Sequence, residues 1–216
     1  MAQRMIHYLI GSLLTDEIRI RDKQRFLLGS VLPDAYCRQE ERDKAHFVNK
    51  ETPGIRFYDF DAFREQFSEH IDNELYLGYY MHLVEDDYYR RFIRVDHELK
   101  VYEDPDGVEK LHRDYQILNR YIVTKYHLAN ELPVEPDLSI EALMETADFD
   151  TEPFLQEMEN DFTEQIEGST VFLTEDMLEE YLEKYLPEIK KEFQAVLCGD
   201  HYLKAKDFAW QRRPST

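Results

Sequence analysis

His82 and Asp86 stand four residues apart in LYLGYYMHLVEDDYY, a segment whose apolar residues recur with helical spacing. On a helix that interval places an imidazole and a carboxylate on one face, close enough to ligate one metal ion. Gly78 lies one turn earlier on the same face. A mid-helix glycine costs about 1 kcal/mol relative to alanine, so it implies a close approach to the backbone there. The first helix has the mirrored arrangement, with Gly11 one turn after His7. Two such helices would pack tightly and point both imidazoles into one interhelical site. A lone His on an apolar face is more often a core residue than a ligand. Asp86 is harder to account for, because burying a carboxylate without a partner is costly. Mixed His and Asp ligation suits zinc or another divalent transition ion, and a carboxylate can bridge to a second one. On residue type alone, Asp34 reads as a turn cap after Pro33, and His46 as an exposed loop residue.

The elements that must position these residues read as helices. Met5, Ile6, Leu9, Ile10, Leu13 and Leu14 predict an amphipathic helix over 2–19. Asp22 offers a cap for a second buried segment at 26–32 that Pro33 should terminate. Residues 37–57 read as a polar, irregular loop closed by Pro53-Gly54. Further helices are expected at 60–70, 72–94, 108–127, 138–146, 152–166 and 174–196, the last opening at Thr174. With only 7 Gly and 8 Pro in 216 residues, the chain lacks the regular turn punctuation of an all-β sandwich. The expected fold class is all-α, with a metal-binding helical core over 1–130 and an acidic helical extension over 131–216 packed on it as one domain.

Composition narrows the function. Hydrophobic residues make up 43% and aromatic residues 13%, so the net charge of −20 belongs to a folded chain rather than a disordered one. That charge opposes the counterion-release attraction behind nucleic-acid binding. It is unevenly distributed: residues 131–192 hold 20 Asp and Glu against 3 Lys and Arg, whereas residues 1–130 hold 24 against 19. The first 130 residues could therefore accept an anionic ligand. Cys37 and Cys198 form no CxxC pair and read as free thiols of a reducing compartment. The N-terminal apolar run is shorter than a membrane span and lacks an export signal, so a cytoplasmic protein with no transmembrane segment is expected. His112-Arg113-Asp114 with Asn119 matches the letters of a kinase catalytic loop. No glycine-rich phosphate loop accompanies it, and its segment reads as helix.

The segments FLLGSVLPDA (26–35), KAHF (44–47) and LGYYMHLVEDDYY (77–89), preceded by the helical His7, resemble the zinc-dependent phospholipase C family and its relatives, the S1/P1-type nucleases. The resemblance covers roughly the first 130 residues. It implies a multi-helix domain in which His7, Asp34, His46, His82 and Asp86 ligate one or more zinc ions. It also implies hydrolysis of a phosphoester by metal-activated water, with Asp34 or Asp86 positioning or deprotonating that water. His97, His112 and Asp114 are candidates for a second metal or substrate site, although Gln116 stands where the family pattern has a carboxylate. The family's N-terminal Trp has no counterpart, the only Trp being Trp210. The expected partner is a small-molecule phosphoester. The alternative is a non-catalytic helical binding protein with a structural metal site. Tyr79, Tyr80, Tyr88 and Tyr89 flank the ligands, and their helical spacing assigns them to the core. Arg90, Arg91 and Arg94 read as a solvated, dipole-favoured helix end with a possible phosphate-holding role.

Overall fold

The computed structural model describes residues 3–18, 20–51, 53–164 and 166–211; the expected helix ends at residues 2 and 19 lie outside them. Among the described residues the fold is all-α, built from α1 (Arg4–Glu17), α2 (Lys23–Val31), α3 (Gln39–Ala45), α4 (Phe60–Gln66), α5 (Glu74–Arg91), α6 (Gly107–Lys125), α7 (Thr151–Thr163) and α8 (Glu175–Leu197). Side-chain oxygens satisfy the free N–H groups at several helix starts: Asp22 accepts from Arg25 N at 3.0 Å, and Thr174 from Met177 N at 3.2 Å. Two short strands, β1 (Ile55–Arg56) and β2 (Trp210–Gln211), pair antiparallel and tie the chain's end to the loop after α3.

Three stretches differ from the sequence expectation. The 37–57 segment contains α3, which buries only Glu41 and Ala45 and so leaves no apolar stripe to read. The expected helix at 138–146 reduces to a 3-10 turn at Ala142–Glu145. The long helix ends at Arg91 and continues as one π-helical turn, Phe92–Asp96.

Helix α5 is the axis of the molecule, buried without interruption from Leu75 to Tyr89. An all-round buried helix needs partners for its polar groups, and its tyrosines find them. Tyr79 donates to the Ala45 carbonyl, Tyr80 to the Glu192 carboxylate, and Tyr89 to Tyr115 at 3.0 Å. The closest packing is between α5 and α2. A Cβ on Gly78 would fall 2.1 Å from the Phe26 carbonyl oxygen, and one on Gly29 would fall 2.0 Å from that of Leu75. Gly11 of α1 also faces α2, at Leu27 and Ser30. The glycines of α1 and α5 therefore do not meet each other; α2 is wedged between them.

The acidic half packs on the same hydrophobic cluster, through Phe154, Leu155 and Met158 of α7 and Tyr181, Ile189 and Phe193 of α8. It is pinned by the buried Asp114 carboxylate, which accepts N–H bonds from Val171 (2.8 Å), Phe172 (2.6 Å) and Leu173 (3.0 Å). It also clasps the turn around Asp34: Asp150 N donates to the Ala35 carbonyl at 2.7 Å, and Cys37 N to that of Asp148 at 2.9 Å.

Alanine normally improves a helix interior by about 1 kcal/mol over glycine. At Gly78 the added methyl meets a backbone carbonyl that cannot yield alone. Gly78→Ala should therefore destabilise the fold by about 3 kcal/mol or more, measured by chemical denaturation; a neutral or stabilising effect would contradict this packing.

Candidate metal centre

Four elements deliver five side chains to one point. His7 comes from α1, Asp34 from the 3-10 turn after α2, His46 from the residue capping α3, and His82 and Asp86 from successive turns of α5. His7, His46, His82 and Asp86 are fully buried, while Asp34 retains 12% of its side-chain exposure.

Each imidazole is oriented through its Nδ1. His82 Nδ1–H donates to the Ser30 carbonyl at 2.8 Å, His46 Nδ1–H donates to the Arg42 carbonyl at 2.9 Å, and His7 Nδ1 meets Glu85 Oε2 at 2.7 Å. A carbonyl oxygen only accepts, so Nδ1 carries a hydrogen in His46 and His82, and their Nε2 atoms are the ones turned to the centre. Those two Nε2 atoms face each other at 3.3 Å. The carboxylates close around them. His46 Nε2 lies 3.3 Å from Asp34 Oδ1 and 3.7 Å from Asp86 Oδ2, His82 Nε2 lies 3.9 Å from Asp86 Oδ2, and His7 Nε2 lies 3.5 Å from Asp86 Oδ1. His7 Nε2 has no close hydrogen-bond partner among the described residues. His7 and His82 stack with ring centroids 3.7 Å apart.

Two ring nitrogens opposed at 3.3 Å beside two carboxylates in a dry interior call for positive charge among them, which a proton or a metal ion supplies. An ion bonded at about 2.0–2.1 Å to its ligands sets tetrahedral neighbours about 3.3–3.4 Å apart, close to the shortest of these separations. The donor set thus fits a divalent ion. Two overlapping groups could hold one, His7 with Asp34 and His82, and His46 with His82 and Asp86.

The electrostatics express the same demand for positive charge. Burial opposes protonation of His7, yet Asp86 and Glu85 flank its two ring nitrogens and push it up to about 10. Burial and the neighbouring His7 charge push His82 down to about 3. Burial also opposes ionisation of Asp34, but the hydrogen bond from His46 and the charges of the surrounding imidazoles hold it below the usual carboxylate range. Burial raises Glu85 to about 7 against the opposing pull of its hydrogen bond to His7.

The remaining candidates are not brought together. His97 pairs with Glu180 at 3.2 Å and packs on Phe92, His112 is exposed on α6, and Asp114 is consumed by its three backbone N–H bonds. Tyr79, Tyr80, Tyr88 and Tyr89 lie in the core. Glu85, the orienting partner of His7, was not singled out by sequence reasoning. Its signal was present: a second carboxylate beside Asp86 in a segment too apolar for a solvated pair.

Asp34 also lines an open cleft of about 1130 Å³, walled by Arg42, Tyr58, Arg90, Arg94 and Trp210 among others. No family model matches the chain, and no curated protein or solved structure is significantly similar to it. The centre must therefore be read from its own geometry.

Partners of metal-ligating imidazoles typically contribute 10–100-fold in affinity. Glu85→Gln should weaken divalent-ion binding by about that factor in a competition titration with a chromophoric chelator, and His82→Ala should lose stoichiometric binding. Unchanged affinity in both variants would refute this arrangement.

Proposed function

We propose that the chain is a zinc-dependent phosphoester hydrolase, in keeping with its resemblance to zinc-dependent phospholipase C and the S1/P1-type nucleases. The observation that carries this reading is the convergence of three Nδ1-anchored imidazoles and two carboxylates, one of which, Asp34, also lines an open cleft. A purely structural site needs no such access. Nitrogen and carboxylate donors in a compact set suit zinc. When bound, the ion supplies Lewis acidity toward a phosphoryl oxygen and lowers the pKa of a coordinated water.

The chain's own residues divide the remaining work. His7, His46 and His82 hold the centre through Nε2, each fixed in direction by the partner on its Nδ1. Asp86 is wholly buried and serves as a ligand. Asp34 is the carboxylate of the set that also lines the cleft, so it is the one positioned to orient an incoming water and take its proton. Arg42, whose carbonyl orients His46, lines the same cleft and can offer its guanidinium to phosphoryl oxygens.

A second reading is favoured by one feature: the centre joins α1, the turn after α2, α3 and α5, so an ion there would also staple the fold. On that reading the chain is a helical binding protein with a structural metal. No helix among the described residues is long and apolar enough to cross a membrane.

The two readings separate on bis(p-nitrophenyl) phosphate and p-nitrophenyl phosphate. The hydrolase should turn over at least one, lose activity on chelation with its circular dichroism retained, and recover with zinc. Asp34→Asn should lower kcat by about 100-fold or more. Chelation that melts the helices, with no turnover of either ester before it, would overturn the enzymatic reading and support the structural one.

A further inference from the structure

A phenolic hydroxyl taken out of water normally finds a hydrogen-bond partner. The core tyrosines follow that rule: Tyr8 donates to the Ala129 carbonyl at 2.7 Å, Tyr79 to the Ala45 carbonyl, Tyr80 to Glu192 and Tyr181 to the Glu85 carbonyl at 3.3 Å. Tyr36, Tyr58 and Tyr88 do not, for their hydroxyls form no hydrogen bond with any described residue. Of these three, Tyr36 and Tyr58 line the cleft above Asp34. Tyr58 is only 3% exposed and Tyr36 is half-buried, so both have given up most of their contact with solvent without gaining a partner in the chain.

Both phenols stand in a fixed relation to the metal centre. Each packs against His46 with its ring centroid 6.1 Å from the imidazole, Tyr36 edge-on at 70° and Tyr58 tilted at 50°. The charge of Asp86 bears on both hydroxyls. Their backbones belong to the segments that deliver the ligands. Tyr36 follows Asp34 by two residues and is bridged to Phe149, and Tyr58 is bridged to Val48, two residues after His46. Tyr58 is backed in turn by Trp210, whose ring lies 5.0 Å away and is itself covered by Arg90 at 4.1 Å. The pair β1–β2 brings Trp210 to this spot from the far end of the chain. Two rings are thus held firmly beside the centre while their hydroxyls remain unspent. At neutral pH a phenol keeps its hydrogen, so each is a neutral donor set in place before any ligand arrives.

We propose that Tyr36 and Tyr58 are paired oxyanion donors, each giving a hydrogen bond to a non-bridging oxygen of the phosphoryl group held at the metal centre. Such bonds strengthen as charge builds on those oxygens in the transition state, and preset donors need no reorganisation at that moment. No proton leaves either phenol and no covalent bond to it forms or breaks; proton transfer stays with Asp34. The catalytic part rests on the hydrolase reading, whereas the capture of a tetrahedral oxyanion at the centre is a matter of binding alone.

The test is isothermal titration calorimetry of the zinc-loaded full chain with inorganic phosphate, in the wild type, Tyr36→Phe and Tyr58→Phe, with zinc affinity measured separately by chelator competition. Removing one donor to a charged acceptor should weaken phosphate binding by about tenfold or more in each variant. Zinc affinity should not change. On whichever p-nitrophenyl ester is turned over, kcat should fall by about tenfold or more. Phosphate affinity unchanged in the folded variants would overturn the proposal. So would a parallel loss of zinc affinity, which would mean that the phenols only support His46, or a zinc-loaded wild type that does not bind phosphate. Should a variant fail to fold, the near-ultraviolet difference spectrum of the wild type decides: saturating phosphate should perturb the tyrosine absorption, and a flat spectrum would overturn the proposal. If neither ester is hydrolysed yet phosphate binds and weakens in the variants, the hydrolase reading fails and the donors stand. Hydrolysis with phosphate affinity and kcat unaffected in both variants would keep that reading and remove the donors.

Discussion

The backbone contact between α2 and α5 at Gly29 and Gly78 sets the position of nearly everything else. Because the helices touch without side chains between them, Ser30, the residue after Gly29, brings its carbonyl within 2.8 Å of His82 Nδ1, one turn beyond Gly78. The same α2 runs directly into the 3-10 turn that presents Asp34. Gly11 lets α1 lie against α2 from the other side, which carries His7 over His82 until the rings stack. A packing constraint of a few atoms thus becomes a constraint on ligand geometry.

The centre works against stability. Asp86, Glu85 and the three imidazoles are taken out of water, and each buried ion costs several kcal/mol before its partners compensate. A well-packed apolar cluster of the same volume would hold the four elements together more simply. Such a concentration of ionisable groups on the most buried helix is the pattern expected where stability gives way to function. The acidic half has a positional role here. Its 148–150 backbone clasps the residues flanking Asp34 on the C-terminal side, and Asp114 anchors its return strand of chain through three N–H bonds. Most of its carboxylates face solvent, so the surface is acidic while the cleft is basic.

What was legible in the sequence is what depends on local spacing. The all-α class, the caps at Asp22 and Thr174, and the shared face of His82 and Asp86 follow from periodicity within one helix. Gly78 does mark a close approach to the backbone, as its place in mid-helix implies, but the neighbour is α2 and not α1. Only the tertiary structure reveals that α2, with its own Gly29, is what approaches. Helix α3 escaped notice because two buried residues in seven leave no stripe. Residues that act through distant partners were less visible still. Trp210 lies 120 residues from Arg90, and no local pattern links a C-terminal tryptophan to an arginine on the central helix. His97, His112 and Asp114 were suggested by family spacing, and the fold separates them: His97 pairs with Glu180, Asp114 takes three backbone N–H bonds, and His112 lies exposed in the wall of the cleft.

The central claim is that His7, Asp34, His46, His82 and Asp86 together hold a metal ion. The most direct measurement is X-ray diffraction from crystals of the full chain grown with zinc, recorded just above and just below the zinc absorption edge. An anomalous peak is predicted that appears only above the edge, about 2.0–2.2 Å from the Nε2 atoms and from a carboxylate oxygen of Asp34 or Asp86. A zinc-containing crystal with no anomalous density at this point, and with His46 and His82 still facing each other across it, would contradict the account.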